Sequence, residues 1–344
     1  KLAPLSRILR RQHQEILIHT GQHYDYNMSA QFFDELEIPE PDYNLEIGSS
    51  SHGEQTGRML TAIERVLIKE RPDWVIVFGD TNSTLAGALA AAKLSIPIAH
   101  VEAGLRSFNR AMPEEINRIV TDHLAQRHFC PTETASYHLC NEGITQGVEV
   151  VGDVMYDALL LARPKLKERA ERLLAAWDVA SRGDSSYEPY ALVTVHRPLN
   201  TDDPEAMAGI ARALNKLDMP VIFPVHPRTR HLLQREGIAW ERHIRLIDPL
   251  GYLDMLALEH AAYRILTDSG GVQKEAFLLG VPCITLREET EWSETVELGW
   301  NTLAGSRSQA ILDAIYQPEP EAVMHNPFGE GDAAERIVQS LTDF

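Results

Sequence analysis

Between Phe78 and Arg118 the chain carries three carboxylates at turns where grouped acids could do chemistry. Trp74-Val-Ile-Val-Phe78 runs into Gly79-Asp80-Thr-Asn-Ser-Thr, and Ile96-Pro-Ile-Ala-His-Val101 runs into Glu102-Ala-Gly-Leu-Arg106; Pro113-Glu114-Glu115-Ile-Asn-Arg118 then opens a helix. The spacing predicts a βαβ crossover whose two strands point the same way, so Asp80 and Glu102 become neighbours at one carboxyl edge. Glu114 falls at that same edge, where open α/β sheets bind ligands. Carboxylates so placed are suited to general acid and base catalysis. Each also has an ordinary reading: Asp80 as a helix N-cap, Glu114 and Glu115 as first-turn acids behind Pro113 that complement the helix dipole. Glu102, between an apolar strand and Ala-Gly, has no capping task, and the three together point to chemistry.

Asp268-Ser269-Gly270-Gly271-Val-Gln-Lys-Glu275 reads as a strand end, a glycine turn and a helix start. Paired glycines let backbone N–H groups approach a phosphate whose charge the helix dipole favours, and Glu275, one turn on, suits ribose hydroxyls. A plain glycine-containing turn with a solvated glutamate fits the same residues. His196-Arg197 and His226-Pro-Arg228 each set a proton carrier beside a fixed cation at a strand end, an arrangement that suits an anionic leaving group. No GxGxxG follows a strand, so the dinucleotide fingerprint is absent; Gly329-Glu-Gly-Asp-Ala-Ala334 nearly fits but follows Asn-Pro-Phe. With no HExxH, no DxD and histidines scattered singly, no metal site is expected.

Lys and Arg total 32 against 50 Asp and Glu, a net charge of −18, which argues against nucleic acid or an anionic membrane as partner. An anionic ligand then has to be captured locally, against the global field. Cys130, Cys140 and Cys283 have no CxxC spacing and read as buried free thiols suited to a reducing cytoplasm. No run approaches the roughly 18 apolar residues of a membrane span.

At 344 residues, two domains of roughly 150 residues each are expected. Ahead of the central stretch, residues 2–11 read as an amphipathic basic helix, 15–19 as a strand ending in Thr20-Gly-Gln22-His23, 39–51 as a loop and 52–70 as a helix. Behind it come a strand at 128–130, a helix from Thr132, a strand from Val148, a helix over 155–174 and a linker over 181–189. The second half repeats strand and polar turn at 191–195, 221–225, 244–247, 263–267 and 281–286, with a terminal helix over 332–341. The whole reads as α/β, two doubly wound sheets whose carboxyl edges face each other across a cleft.

In this order and spacing, Gly-Asp-Thr-Asn-Ser-Thr, His-Val-Glu-Ala-Gly-Leu-Arg, Pro-Glu-Glu-Ile-Asn-Arg, His-Arg-Pro and Thr-Asp-Ser-Gly-Gly-Val-Gln-Lys-Glu resemble the non-hydrolysing UDP-N-acetylglucosamine 2-epimerases over nearly the whole chain. The resemblance implies two Rossmann-like domains in the manner of the GT-B glycosyltransferases, a UDP-sugar in the interdomain cleft, a homodimer, no cofactor and a place in cell-surface polysaccharide synthesis. It implies an N-terminal domain over residues 1–157 with Asp80, Glu102 and Glu114 catalytic, a UDP-binding domain over 158–328 and a C-terminal helix over 329–344. His196 would assist at the diphosphate. Lys1, Arg106, Arg197, His226, Ser269, Gly270, Gly271 and Glu275 would hold the UDP-sugar, and Gln22 and His23 mark the place of a regulatory UDP-sugar site.

The implied reaction inverts C2 of the sugar. No carbonyl acidifies that proton, so the C1–UDP bond breaks as the proton leaves, giving a glycal to which both add back from the other face, and no redox cofactor is required. In the family the lysine that Lys1 resembles follows a first strand and a Gly-Thr-Arg-Pro-Glu loop, so about 15 residues, a strand and its turn, are expected ahead of Lys1. Leu199 stands where many members have Glu, and Tyr24-Asp25-Tyr26 follows Gln22-His23. Arg-Ser-Phe-Asn-Arg110 and Thr-Glu-Trp-Ser-Glu-Thr295 also resemble the branch acting on UDP-2,3-diacetamido-glucuronic acid. A glycosyltransferase of the same fold and a non-catalytic UDP-sugar sensor are the other readings.

Overall fold

Short apolar runs alternating with amphipathic segments build parallel strands joined by helices, because two parallel neighbours need a crossover between them. The computed structural model describes residues 1–21, 33, 35–177, 188–225, 227–235, 237–320 and 326–342. The chain divides into two compact units, Lys1–Leu160 with His325–Phe344, and Leu161–Met324.

The first unit runs α1 (Leu2–Leu9), β1 (Ile18–His19), β2 (Tyr43–Asn44), α2 (His52–Glu70), β3 (Val75–Phe78), α3 (Asn82–Lys93), β4 (Ile98–Val101), α4 (Pro113–Leu124), β5 (Arg127–Cys130), α5 (Glu133–Asn141) and β6 (Val148–Val150), followed by α6 (Val154–Ala176). Strands β3, β4, β5 and β6 lie side by side in that order, all parallel, and β1 pairs with β2. Alternation along the strands sends Ala99, Val101 and Phe129 to a face covered by Leu5, Val154 and Ile337, while Val77 and Ile98 pack on Met59, Ile63 and the alanines of α3. Helices thus cover both faces.

The second unit contains β7 (Ala191–Thr194), α7 (Pro198–Thr201), α8 (Pro204–Leu214), β8 (Val221–Pro224), α9 (Pro227–Arg235), β9 (Ile244–Ile247), α10 (Tyr252–Ala261), β10 (Arg264–Thr267), α11 (Gly270–Leu279), β11 (Cys283–Thr285), α12 (Ser293–Glu297), β12 (Asn301–Leu303) and α13 (Ser308–Ile315). Its parallel sheet has the order β12-β11-β10-β7-β8-β9. Ala191, Val193, Val221 and Phe223 face one core and Leu192, Ile222 and Ile265 the other, the double winding expected of a sheet covered on both sides.

Three local expectations change. The segment 39–51, read as loop, contains β2, where Tyr43 and Leu45 donate backbone hydrogen bonds to Leu17 and His19 of the β1 region. Asn301-Thr-Leu303 was not anticipated as a strand because its polar residues carry no alternation. Cys140 is exposed: α5 turns Ala135 and Leu139 inward, one helical turn apart, and leaves Cys140 outside. Cys130 and Cys283 are buried, and burial pushes both thiols up. Of the expected linker, residues 181–187 lie outside the described residues.

The closing helix α14 (Ala333–Thr342) returns to the first unit, and Asp157 of α6 caps it by accepting from Ala333 N at 3.3 Å and Ala334 N at 2.7 Å. Those amides have no partner within their own helix, so the carboxylate satisfies donors that burial would otherwise strand. Asp157→Ala is expected to destabilise the protein by about 0.5–2 kcal/mol, read as a lower urea midpoint at unchanged slope.

Candidate active site

Strand register brings the first two acids together. Phe78 lies opposite Val101, so Gly79-Asp80 and Glu102 leave the sheet side by side, and Gly79 N extends the ladder by donating to Val101 O at 3.0 Å. Glu102 has φ +73°, a left-handed backbone that costs a non-glycine residue about 1–3 kcal/mol. It is held there because Glu102 N and Ala103 N both donate to Phe129 O, at 3.0 and 3.1 Å. The kink turns the Glu102 carboxylate toward Gly79, where a Cβ would stand 3.1 Å from Glu102 Oε2 and 2.9 Å from Lys1 Nζ. Only glycine leaves that space open, and Lys1 Nζ pairs with Glu102 Oε2 within it.

The two glutamates at the start of α4 have different tasks. Glu115 is 1% exposed and accepts from Ser107 N, Ser107 Oγ and Phe108 N, each at 2.9 Å, and from Arg118 at 2.8 Å. It therefore pins a segment in which Phe108, itself at φ +60°, is 74% exposed. Glu114 is half-buried on the same first turn. Arg118 joins Glu115 to Asp80, whose carboxylate is 28% exposed. The sequence reading gave Arg118 no task, although its i,i+3 spacing from Glu115 on a predicted helix was a usable signal.

Arg106, expected at the substrate, is not available to one. Its guanidinium is 1% exposed and lies among Asp122 Oδ2 at 2.7 Å, Glu142 through two bonds of 2.7 Å and Leu105 O at 2.6 Å. Burial pushes the Asp122 carboxyl up, but His100 and Arg106 outweigh it and hold the group below the usual carboxylate range. The hydrogen bonds from Arg106 hold Glu142 low as well. The residue sits one turn beyond Glu102, but its side chain points into the core.

In the second unit Thr194 lies opposite Thr267, which sets His196-Arg197 beside Asp268-Ser269 at one strand edge. Asp268, fully buried, accepts from His196 N at 3.1 Å, Arg197 N at 3.0 Å and Asn200 Nδ2 at 3.0 Å, and so fixes the His-Arg turn. His196 itself is 39% exposed, with Nδ1 3.7 Å from Asp268. Ser269 occupies the N-cap position of α11 without a capping bond from its side chain, and Gly270 and Gly271 open the helix. A Cβ on Gly270 would run into the carboxylate of Glu291, which Arg287 reaches at 3.1 Å. Glu275 is buried one turn on, and the carboxyl of fully buried Glu259 is driven well up by burial and, behind it, by the neighbouring Glu275. His226, Gln22 and His23 lie outside the described residues. Among the described residues no cluster of His, Cys, Asp and Glu is arranged to hold a metal ion, and no helix is long and apolar enough to cross a membrane.

The model of one family, UDP-N-acetylglucosamine 2-epimerase, matches residues 7–342. The chain belongs to that family. A UDP-N-acetylglucosamine 2-epimerase homolog from Methanococcus maripaludis is 54% identical over 99% of this chain and 95% of the relative. A UDP-2,3-diacetamido-2,3-dideoxy-D-glucuronate 2-epimerase from Pseudomonas aeruginosa is 47% identical over 95% of this chain and 91% of the relative. The crystal structure of Methanocaldococcus jannaschii UDP-GlcNAc 2-epimerase with UDP-GlcNAc and UDP superposes with a TM-score of 0.91 at 45% identity, covering 100% of this chain and 96% of that one. A calicheamicin glycosyltransferase, at 15% identity and a TM-score of 0.52, shares the fold alone, which is α/β with two Rossmann-like units of the GT-B kind.

Because Arg106 fills one oxygen of buried Asp122, whose other oxygen faces His100, and reaches Glu142 at the surface, Arg106→Met should destabilise the epimerase by about 1–3 kcal/mol, the cost of leaving a buried acceptor without its partner, while UDP affinity measured by calorimetry stays unchanged. Asp122 and Glu142 are both held low in the folded state, so their contribution is complete above the ordinary values of 3.8 and 4.5 and is lost as pH falls below them. The stability gap between wild type and Arg106→Met, followed by urea unfolding, should accordingly close toward acid pH.

Proposed function

We propose that the chain is a non-hydrolysing epimerase that interconverts UDP-N-acetylglucosamine and UDP-N-acetylmannosamine. The observation that carries this reading is the pair of strand ends that sets Glu102, strained into a left-handed turn and paired with Lys1, beside the Asp80 turn. Backbone strain clusters at functional sites, and here it turns the Glu102 carboxylate toward Gly79.

In this reading one carboxylate of Asp80, Glu102 and Glu114 removes the C2 proton while the C1–O bond to UDP breaks, its electron pair leaving with the diphosphate. The glycal then takes a proton on the other face of C2 from a second acid, and UDP re-adds at C1. Bases and acids on both faces are required because C2 returns with inverted configuration. Lys1 pairs with Glu102, and Arg118 pairs with Asp80. His196 and Arg197 stabilise charge on departing UDP, with Ser269, Gly270, Gly271 and Glu275 as its binding residues. We further propose that the enzyme works as a homodimer in the cytoplasm and feeds cell-surface polysaccharide synthesis, and that it uses no cofactor.

The 47% identity to the P. aeruginosa relative supports a second reading, in which UDP-2,3-diacetamido-glucuronic acid is epimerised at C2 by the same residues. Parallel assays of both sugars separate the two. In heavy water, turnover should place deuterium at C2 of the recovered sugar, and product free of deuterium would exclude the elimination route for either sugar.

Glu102→Gln removes charge with little change in volume and should abolish turnover while UDP still binds. Ser269→Ala and Glu275→Ala should instead weaken UDP binding by about 1–3 kcal/mol each, as expected for loss of a buried hydrogen-bond partner. Titration calorimetry alongside steady-state kinetics distinguishes the two classes, and identical patterns would refute the division of roles.

A further inference from the structure

His100 takes no part in the chemistry above, yet it is fully buried in β4 two residues before Glu102. Its Nε2 lies 2.7 Å from the carbonyl oxygen of Gly79, and its Nδ1 lies 2.6 Å from Asp122 Oδ1. The Gly79 carbonyl can only accept, so Nε2 carries a hydrogen, and Nδ1 shares another with Asp122. The Gly79 carbonyl belongs to the peptide that leads into Asp80, at a turn with φ +63°. On the other side, Asp122 Oδ2 accepts from Gly104 N at 3.2 Å and from Arg106 at 2.7 Å. Gly104, at φ +80°, is the second residue after Glu102. One chain of hydrogen bonds therefore runs from the turn that carries Asp80, through His100 and Asp122, to the turn that carries Glu102.

We infer that His100 is a positioning residue for the reaction: its ring locks the Gly79–Asp80 peptide to the Glu102 turn, and so fixes the spacing of the two carboxylates. The inference rests on the epimerase reading. A carboxylate that moves by an ångström is a poor base for a C–H proton, because proton transfer needs the reacting atoms held in near-attack geometry. Asp122 and Arg106 act behind His100 as its support, which gives their burial a purpose beyond packing.

Two substitutions separate the ends of the ring. In His100→Gln the side-chain amide reaches the place of Nε2 and can still donate to Gly79; in His100→Asn it reaches the place of Nδ1 and can donate only to Asp122. With UDP-N-acetylglucosamine, His100→Asn should lose about 10²-fold in kcat and His100→Gln no more than about tenfold, the scale set by misplacement of a catalytic group. KM and UDP affinity should hold in both. Equal kcat losses that follow the melting temperatures would make His100 merely structural and overturn the inference. A wild type that leaves C2 unexchanged in heavy water would instead remove the epimerase reading, and the inference with it. Should either variant fail to fold, 15N spectra of histidine-labelled wild type decide: a hydrogen-bonded N–H at Nε2 of a buried ring is expected, and an Nε2 without a hydrogen would overturn the proposal.

Discussion

Parallel register is the constraint on which the candidate site depends. Phe78 opposite Val101 and Thr194 opposite Thr267 mean that each polar turn leaves its sheet beside its neighbour's. A one-residue slip in either pairing would turn the alternating apolar residues of β3 or β10 to the wrong core, so the hydrophobic effect that holds the sheet together also holds the acids together. Chemistry and stability are set by the same pairing in each unit.

Register alone does not aim a side chain, and both units use a buried carboxylate for that purpose. Asp122 in the first and Asp268 in the second each accept from backbone amides of a turn that carries site residues, and each is completely withdrawn from solvent. A buried carboxylate is expensive unless its oxygens are filled, and filling them with amides from a turn converts the desolvation cost into rigidity of that turn. Glu115 does the same for Ser107 and Phe108. These acids make the turns stiff, and Glu102 and His196 are carried on them.

Much of this was legible in the chain. The short apolar runs located β3, β4 and β10, and the residues following them pointed to the strand-end turns. What the sequence did not reveal was direction and burial. Arg106 and Arg118 are the same residue type near the same turn, but one faces the interior and the other meets Asp80; only tertiary packing distinguishes them. Glu114 and Glu115 stand side by side and divide their tasks by helix face. Asp122, His100 and Asp268 act through partners far away in the sequence, which spacing cannot reveal, and β2 and β12 are too short for any periodicity.

The left-handed backbone at Glu102 restricts what could replace the glutamate. Glycine or asparagine would ease the backbone of that turn, since neither pays the full steric penalty of φ +73°, but either would take from Lys1 the carboxylate it pairs with. At this one position backbone ease and the carboxylate pull in opposite directions. Position 102 is where this chain gives up backbone ease to keep a carboxylate aimed at Gly79 and Lys1.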